Sequence, residues 1–180
     1  MSDRLALAPH AIDAEELAAR ESLRHLAAAY GHAIDRRDWG LLRTLYHDDA
    51  IDDHTPYYCG PVDGFVAWLP GMMANWGATM HTAISCLFAV DGDEAQGAIT
   101  ARAWHVTLDG SRQFVAWGRY ADHYAKRSGV WRFARRSFIL DFTEDLPAVA
   151  GDDFGSTGVG TGTAGGDDPV HARLSLFTRG

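Results

Sequence analysis

Cysteines are scarce in this sequence, and long apolar runs and a signal-like first segment are missing. Its 180 residues include only two cysteines, Cys59 and Cys86, so we expect two reduced thiols in a cytoplasmic protein rather than a disulfide framework. No run of about 18 apolar residues is present, which argues against a transmembrane helix. The first residues, MSDRLALAPHAIDAEE, turn acidic too early for a secretory signal.

Positive charge is also in short supply. The chain has 16 Lys and Arg against 24 Asp and Glu, and a formal net charge of −8 has the wrong sign for general nucleic-acid binding. No CxxC pair occurs and the nine histidines are scattered, so the sequence predicts no metal site. What remains is a chain with 47% hydrophobic residues, long enough for one domain with a core.

The first part of the chain has the periodicity of helices. Asp13 begins a capping box, and apolar residues at helical spacing continue to about Asp35. A second helix follows Asp38, a favourable N-cap, and a third is predicted over 62–76 with a kink or break at Pro70. Between these two helices, HDDAIDDHTPYYCGP predicts a loop with one short strand or none.

After the helices the pattern changes to the alternation of strands. Four strands with short turns between them are predicted: HTAISCLFAV, AQGAITARAWHVTL, RQFVAWGRYADHYAK and VWRFARRSFILDF. Helices followed by a meander predict an α+β fold, with about three helices packed on a strongly curved antiparallel sheet around a cone with one open mouth. We place this domain at 13–145, after an N-terminal arm at 1–12.

Residues 146–180 form a tail of different composition. The stretch GDDFGSTGVGTGTAGGDD is rich in Gly and Thr and has too little apolar surface to order itself. The segment PVHARLSLF then regains apolar character. The sequence therefore predicts a tail that is partly disordered, docks on a neighbouring subunit or lies over the mouth of the cone.

Three segments, by their order and spacing, resemble the SnoaL-like branch of the NTF2-like superfamily: YGHAIDRRDWGLLRTLYHDDA, MHTAIS and YADHYAKRSGVWRFARRSFILDF. The superfamily also holds scytalone dehydratase, hexachlorocyclohexane dehydrochlorinase, bile-acid dehydratase and ketosteroid isomerase. The resemblance implies the same α+β cone that the periodicity predicts, in a homodimer or homotrimer. It says less about function, because this scaffold hosts enzymes and non-enzymes alike.

In the dehydratase-like members, an aspartate at the end of the first helix pairs with a histidine on the sheet, and the matching residues here are Asp35 and His81. Tyr30 matches a tyrosine a little over one turn before that aspartate. Those enzymes remove a proton from carbon and expel a leaving group without metal or organic cofactor. The resemblance thus implies a cofactor-independent lyase or isomerase. Its expected substrate is a small, mostly apolar or aromatic ring compound of the steroid, polyketide or aromatic alcohol class.

Residue chemistry is compatible with these roles but leaves alternatives. Histidine titrates near neutral pH and suits a general base, and this is the role that we favour for His81; the alternative is a structural residue at a strand end. A negative charge at the carboxyl end of a helix is disfavoured by the helix dipole, so Asp35 should have a positively charged partner. The candidates are Arg36 or Arg37 at the surface, or a protonated His81. The ring of Tyr30 belongs to the core, and its hydroxyl either stays there or reaches the cavity.

Strict alternation along the first strand makes a further prediction about the neighbours of His81. It places the small residues Ala83 and Ser85 on the face of His81, and Cys86 and Phe88 on the opposite face. Small neighbours leave room for a ligand above the imidazole.

Other candidates lie on later elements. His105, in the middle of the second strand, is either a pocket residue that protonates a departing hydroxyl or a residue of the outer face. Arg135 and Arg136 are adjacent, so only one of them points inward, where it would bind an anionic oxygen. The spacing in the family favours Arg136, whereas the local apolar pattern favours Arg135. We choose Arg136. Tyr58 and Trp104 are expected at the mouth and wall of the pocket.

The remaining polar residues are assigned to the surface. Four histidines are expected to be solvated or hydrogen-bonded there: His32, His47, His54 and His123. Asp52, Asp53 and His54 superficially resemble metal ligands, but no partner motif accompanies them. The alternative function is a non-catalytic ligand-binding or assembly module, which should have a filled cone.

Overall fold

The computed structural model describes residues 9–148, 161–174 and 177. Its elements are α1 (Ala14–Asp35), α2 (Trp39–Thr44), β1 (Tyr46–His54), β2 (Tyr58–Pro61), α3 (Val62–Met73), β3 (Trp76–Asp91), β4 (Glu94–Thr107), β5 (Arg112–Arg127), β6 (Val130–Pro147) and α4 (Pro169–Arg173). The predicted α+β architecture, with three N-terminal helices and a sheet built mainly from the later strands, is confirmed.

Side-chain caps define where the first two helices begin. The carboxylate of Asp13 accepts a hydrogen bond from the backbone N–H of Glu16 at 2.8 Å, and Asp38 accepts one from the N–H of Leu41 at 3.0 Å. Each bond satisfies an N–H that has no partner within its helix, as predicted from the sequence. Between the caps, α1 runs for 22 residues and ends at Asp35, so this residue lies at the carboxyl end of a long helix.

Helix α3 continues through Pro70 instead of breaking there. Its buried residues follow helical spacing, and they are Val62, Phe65, Leu69 and Met73. Burial of a large apolar side chain contributes about 1.5–3 kcal/mol, so two or three of them offset the roughly 3 kcal/mol cost of an interior proline. The helix ends earlier than predicted because Trp76 already belongs to β3.

The six strands form one sheet in the order β2-β1-β6-β5-β4-β3. Strands β3 to β6 are the predicted antiparallel meander. The segment predicted as a loop forms β1 and β2 instead, and β1 pairs in parallel with β6. The sequence hides β1 because its inward positions include polar residues, Asp52 and His54, which spoil the apolar alternation expected of a strand.

A bulge in β3 changes the predicted environment of His81. The strand begins at Trp76, before His81, and its register shifts between Ala83 and Ser85. After the shift, Cys86 pairs with an odd-numbered residue of β4, as His81 does, so both lie on one face of the sheet. The prediction that Cys86 and Phe88 face away from His81, and that Ser85 shares its face, was therefore wrong, because one extra residue reverses the alternation.

Large apolar side chains remain about half exposed on β3 and β6, and they include Met80, Ile84, Leu87, Ile139, Leu140 and Phe142. Apolar surface of this kind is what a second subunit buries. The homodimer or homotrimer stays a prediction. Within the described residues, no helix is long and apolar enough to cross a membrane.

Part of the tail packs on the carboxyl end of α1 in the same chain. The N–H of Gly165 donates to the carbonyl of Arg36 at 2.6 Å, and the Arg36 guanidinium lies 3.1 Å from the carboxylate of Asp168. The glycine-rich stretch of the predicted tail over 149–160 lies outside the described residues, as do 1–8 of the predicted N-terminal arm. Whether the tail docks on a neighbouring subunit stays a prediction.

Candidate active site

The end of α1 and the middle of β3 bring Asp35 and His81 into direct contact. The imidazole Nδ1 lies 2.7 Å from Asp35 Oδ1, and the backbone N–H of His81 donates to Oδ2 at 2.8 Å. The hydroxyl of Thr79 donates to Oδ1 at 2.9 Å. The two side chains are only 14% and 9% exposed, so three hydrogen bonds hold a nearly buried carboxylate against the ring.

A glycine on α1 allows this contact. A Cβ added at Gly31 would lie 2.7 Å from the carbonyl oxygen of His81, closer than real Cβ atoms come to a backbone atom. Any larger residue would therefore push β3 away from α1. Because Asp35 follows Gly31 by about one helical turn, the close approach at Gly31 puts the carboxylate within reach of His81.

The two arginines that follow Asp35 have other partners. Arg36 pairs with Asp168, and Arg37 donates to the Thr79 hydroxyl at 2.9 Å and to the carbonyl of Ile34 at 2.7 Å. The surface pairing considered for Asp35 in the sequence is therefore absent. Arg37 instead supports the threonine that bonds the carboxylate.

The hydrogen bond to Asp35 determines which ring nitrogen of His81 is available for chemistry. A carboxylate only accepts hydrogen bonds, so the neutral imidazole carries its proton on Nδ1 and its lone pair on Nε2. No described residue bonds Nε2. The arrangement is that of a base oriented by an acid: Nε2 takes a proton, and the adjacent carboxylate stabilises the imidazolium that forms.

His105 lies on the same face, in contact with His81. The two rings meet edge to face with centroids 5.3 Å apart, and Trp76 and Phe114 enclose the other sides of His105. Burial, followed by the proximity of His81, lowers the pKa of His105 to about 4. A neutral ring cannot protonate a leaving hydroxyl near neutral pH, so the acid role predicted for His105 does not fit.

Arg136 faces the interior, whereas Arg135 lies outside and pairs with Asp53. The Arg136 guanidinium donates to Asp122 from Nε at 2.9 Å and from Nη2 at 2.7 Å. Burial alone would lower the pKa of Arg136, but the carboxylate of Asp122 raises it well above the usual value. The cation therefore stays charged at every pH at which the protein folds.

Aromatic rings enclose the Arg136 cation. The centroids of Tyr30 and Tyr120 each lie 4.1 Å from the guanidinium carbon, and that of Phe133 lies 4.2 Å away. The remaining guanidinium nitrogen, Nη1, is buried without a hydrogen-bond partner among the described residues. A buried donor without a partner costs about 1–3 kcal/mol, so this atom favours a bound water or ligand oxygen.

A narrow cavity connects the arginine with the His81 side of the interior. Its lining includes Tyr30, Gly31, His81, Ala83, Ile99, Ala101, Tyr120 and Arg136. The volume is about 10 Å³, the space of a single water molecule. As the side chains stand, this cavity does not hold a ring compound.

Besides His105, which contacts His81, two predicted pocket residues do not line this cavity. Trp104 is adjacent to His105 on β4, so alternation turns it to the opposite face, where its Nε1 donates to Gln113 at 2.8 Å. Its predicted place in the pocket wall was wrong for that reason. The hydroxyl of Tyr58 donates to the carbonyl of Pro61, and its ring packs on Trp68 at 5.7 Å.

The sequence missed a second histidine that is mostly enclosed by the protein. His54, expected at the surface, has a side chain that is 19% exposed, and its Nδ1 lies 2.5 Å from Oδ1 of Asp52, which is fully buried. The Asp52 carboxylate also accepts the hydroxyl of Tyr46 at 2.7 Å. Once the segment is recognised as a strand, alternation places residues 50, 52 and 54 on its inward face, and this predicts that Asp52 and His54 lie side by side.

His47 was also misplaced by the sequence. It is buried, and its Nε2 lies 2.8 Å from the carbonyl oxygen of Ala125. The described ranges contain no group of three or more His, Cys, Asp and Glu side chains placed to hold a metal ion.

Comparison with known proteins assigns the domain. A family model described as a SnoaL-like domain matches residues 15–137. The chain belongs to the SnoaL-like family. The family predicted from the three sequence segments is thereby confirmed.

Relatives of this SnoaL-like protein include named enzymes. The gamma-hexachlorocyclohexane dehydrochlorinase of Sphingobium indicum is 23% identical over 145 residues, which are 76% of this chain and 90% of that protein. A crystal structure of a hexachlorocyclohexane dehydrochlorinase, LinA type 2, matches with a TM-score of 0.72 and 19% identity over 79% of this chain and 99% of that one. A crystal structure of a scytalone dehydratase-like protein from Novosphingobium aromaticivorans matches with a TM-score of 0.67 and 21% identity, over 77% of this chain and 95% of that one. At these identities the structures establish the NTF2-like fold.

Proposed function

We propose that this SnoaL-like protein is a cofactor-independent lyase of the dehydratase type. The observation that carries the proposal is the contact between Asp35 and His81, which leaves Nε2 of a nearly buried imidazole free. The relatives named for dehydrochlorination, and the neighbour named for dehydration, support an elimination reaction.

In the proposed mechanism, His81 Nε2 takes a proton from a carbon next to an activating group such as a carbonyl. The electron pair of the broken C–H bond first moves onto the activating group and forms an enolate. It then forms the C=C bond as the leaving group departs from the neighbouring carbon with its own bonding pair. Asp35 holds the imidazole in the required tautomer and stabilises the imidazolium. Proton transfer by a positioned side chain contributes typically about 10²–10⁴ in rate.

Arg136 supplies the positive charge that this reaction needs. Removal of a proton next to a carbonyl places negative charge on the carbonyl oxygen, and the unpartnered Nη1 of Arg136 provides a donor at the cavity. The two bonds to Asp122 fix the orientation of the guanidinium before substrate arrives. Tyr30 packs on this cation and lines the cavity, so its role is to position Arg136 and to contact the substrate.

The lining supports a mostly apolar substrate with an oxygen at one end, as in a steroid, polyketide or aromatic alcohol. Ile99, Ala101 and the ring of Tyr120 provide apolar surface, and Arg136 provides the polar contact. A ring compound needs more space than the present cavity, so side chains must move when it binds.

The small cavity volume favours one other function, a non-catalytic assembly module of the same fold whose interior stays filled. The two functions make different predictions for protein purified under native conditions. Mass spectrometry of a lyase should detect turnover of a β-hydroxy aryl ketone to the unsaturated ketone, and His81→Gln should abolish it. His123→Gln removes an exposed histidine and serves as the matched control. Equal turnover by His81→Gln and wild type, or none by wild type across such ketones, would count against the lyase.

A further inference from the structure

The interior contains a second histidine and aspartate pair that the proposed mechanism does not use. His54 and Asp52 lie two residues apart on β1, and both point to the face that the helices cover. The imidazole stacks between Phe65, with centroids 5.2 Å apart, and Phe138, at 5.7 Å. Two flanking rings and a carboxylate on Nδ1 fix the orientation of the His54 ring.

This pair lies beside the cavity that His81 lines. The ring of His54 contacts Tyr120 edge to face at 6.1 Å, and Tyr120 is part of the cavity lining. On the other side, Asp52 is opposite Arg136 in the register of β1 and β6. His54 and His81 therefore approach the same interior from different strands of the sheet.

The buried charges indicate what His54 contributes. Asp52 and Asp122 are both buried carboxylates, and the guanidinium of Arg136 gives both of its hydrogen bonds to Asp122. The direct partners of Asp52 are the neutral hydroxyl of Tyr46 and the ring of His54. Of these two partners, only the His54 ring can carry the positive charge that compensates a buried carboxylate.

We infer that His54, held by Asp52, is the acid of the elimination and donates a proton to a departing oxygen. This inference rests on the proposed lyase function. His81 first takes the carbon-bound proton reversibly, which leaves an enolate. The enolate electrons then form the C=C bond as the C–O bond breaks, and the leaving oxygen keeps both electrons of that bond. That oxygen takes the proton of the His54 imidazolium and leaves as water. Water then carries the proton from His81 back to His54, which restores both residues.

The inference specifies the substrate class. A hydroxyl group needs a proton to leave as water, whereas chloride departs as a stable anion without one. A retained acid beside the cavity therefore predicts a substrate that loses water. In this scheme Asp52 is a positioning residue, because it acts through His54.

A matched pair of probes tests the inference: the β-hydroxy and β-chloro derivatives of one aryl ketone, corrected for the uncatalysed reaction. The variant His54→Phe keeps a ring between Phe65 and Phe138 but cannot donate a proton. Loss of water should slow by about 100-fold or more, the usual contribution of a positioned acid, while loss of chloride should change by less than about threefold. His123→Gln, at an exposed histidine, should change neither rate. An equal effect of His54→Phe on both probes, or on neither, overturns the inference.

A second variant and a second readout separate this inference from the lyase function. Asp52→Asn keeps the imidazole of His54 but weakens its hold, so loss of water should slow by about tenfold or more while loss of chloride changes by less than about threefold. An equal effect of Asp52→Asn on both probes, or on neither, overturns the inference even if His54→Phe fails to fold. Exchange of the ketone's carbon-bound proton with solvent deuterium reports His81 separately. No exchange refutes the lyase itself, whereas exchange with a hydroxyl loss that does not depend on His54 refutes only the acid.

Discussion

The two histidine and aspartate pairs of this protein differ in how the chain assembles them. His81 and Asp35 are 46 residues apart, and a helix end and a strand must meet to join them. His54 and Asp52 are two residues apart on one strand, so the alternation of β1 alone places their side chains next to each other on one face. The first carboxylate accepts three hydrogen bonds and the second accepts two. The long-range pair thus has one additional hydrogen bond, from the backbone of His81, whereas the imidazole of the local pair is held between the rings of Phe65 and Phe138.

The largest expected effect concerns the first pair. His81→Ala removes the proposed base, so turnover of a β-hydroxy aryl ketone should fall by about 10²–10⁴. Asp35→Asn cannot hold the imidazole in the same tautomer and should lose a comparable factor. Steady-state kinetics with the thermal melting curve as a folding check measures both. If either variant keeps wild-type kcat/KM, the first pair is structural and the two pairs do not differ in the proposed way.

The next effect concerns the charges beside the second pair. Asp122→Ala leaves Arg136 buried without its partner, and breaking a buried ion pair costs about 3–5 kcal/mol. Asp53→Ala breaks the partly exposed pair with Arg135 and should cost about 1 kcal/mol or less. Urea denaturation of both variants gives the two free energies of unfolding. Similar costs would mean that Arg136 is solvated, and its proposed role in the cavity would then lose its basis.

A smaller effect is expected at the close approach that joins the first pair. Gly31→Ala forces a methyl group against the His81 carbonyl, and overpacking of this kind costs typically about 1–3 kcal/mol. The same change at Gly71, near the end of α3, meets nothing within 4 Å and should stabilise the helix by up to about 1 kcal/mol. The variants are compared by urea denaturation and by kcat/KM. Unchanged stability and activity in Gly31→Ala would show that the contact tolerates more space than its geometry indicates.

The smallest expected effect is a pH dependence at His105. The pKa of this residue falls from 6.5 to about 4 on folding, so between these values the unfolded chain binds a proton that the folded chain does not. Stability should therefore fall as the pH falls through that window, by at most about 2 kcal/mol from this residue between pH 7 and pH 5.

His105→Phe keeps the ring and removes the titration, so it should lose less stability than wild type over the same pH range. Urea denaturation at pH 7 and pH 5 measures the difference. An identical pH dependence in the two proteins would indicate that His105 is solvated.

Much of the fold was predictable because it follows local rules. The caps at Asp13 and Asp38 and the four-stranded meander require only side-chain hydrogen bonds and alternation, and both are present. The contact between Asp35 and His81 was expected from the resemblance to the dehydratase-like members. Nothing in the periodicity alone indicates that a glycine lets β3 approach α1.

The parts that the sequence concealed are those in which polar residues occupy inward positions or the register shifts. β1 was taken for a loop because Asp52 and His54 replace apolar residues on its buried side. The bulge after Ala83 adds one residue and reverses the face of everything beyond it, which alternation cannot anticipate. Both cases require long-range pairing, β1 with β6 and β3 with β4, before the side chains can be placed.

Exchange of a carbon-bound proton with solvent shows most clearly whether His81 acts as a base held by Asp35. Wild-type protein in D₂O should incorporate deuterium next to the carbonyl of a β-hydroxy aryl ketone, as followed by proton NMR. His81→Gln should reduce the rate to that of the uncatalysed reaction, and Asp35→Asn should reduce it nearly as far. Incorporation at the wild-type rate in His81→Gln would show that His81 is not the base, since the proton would then leave the carbon without the histidine that Asp35 holds.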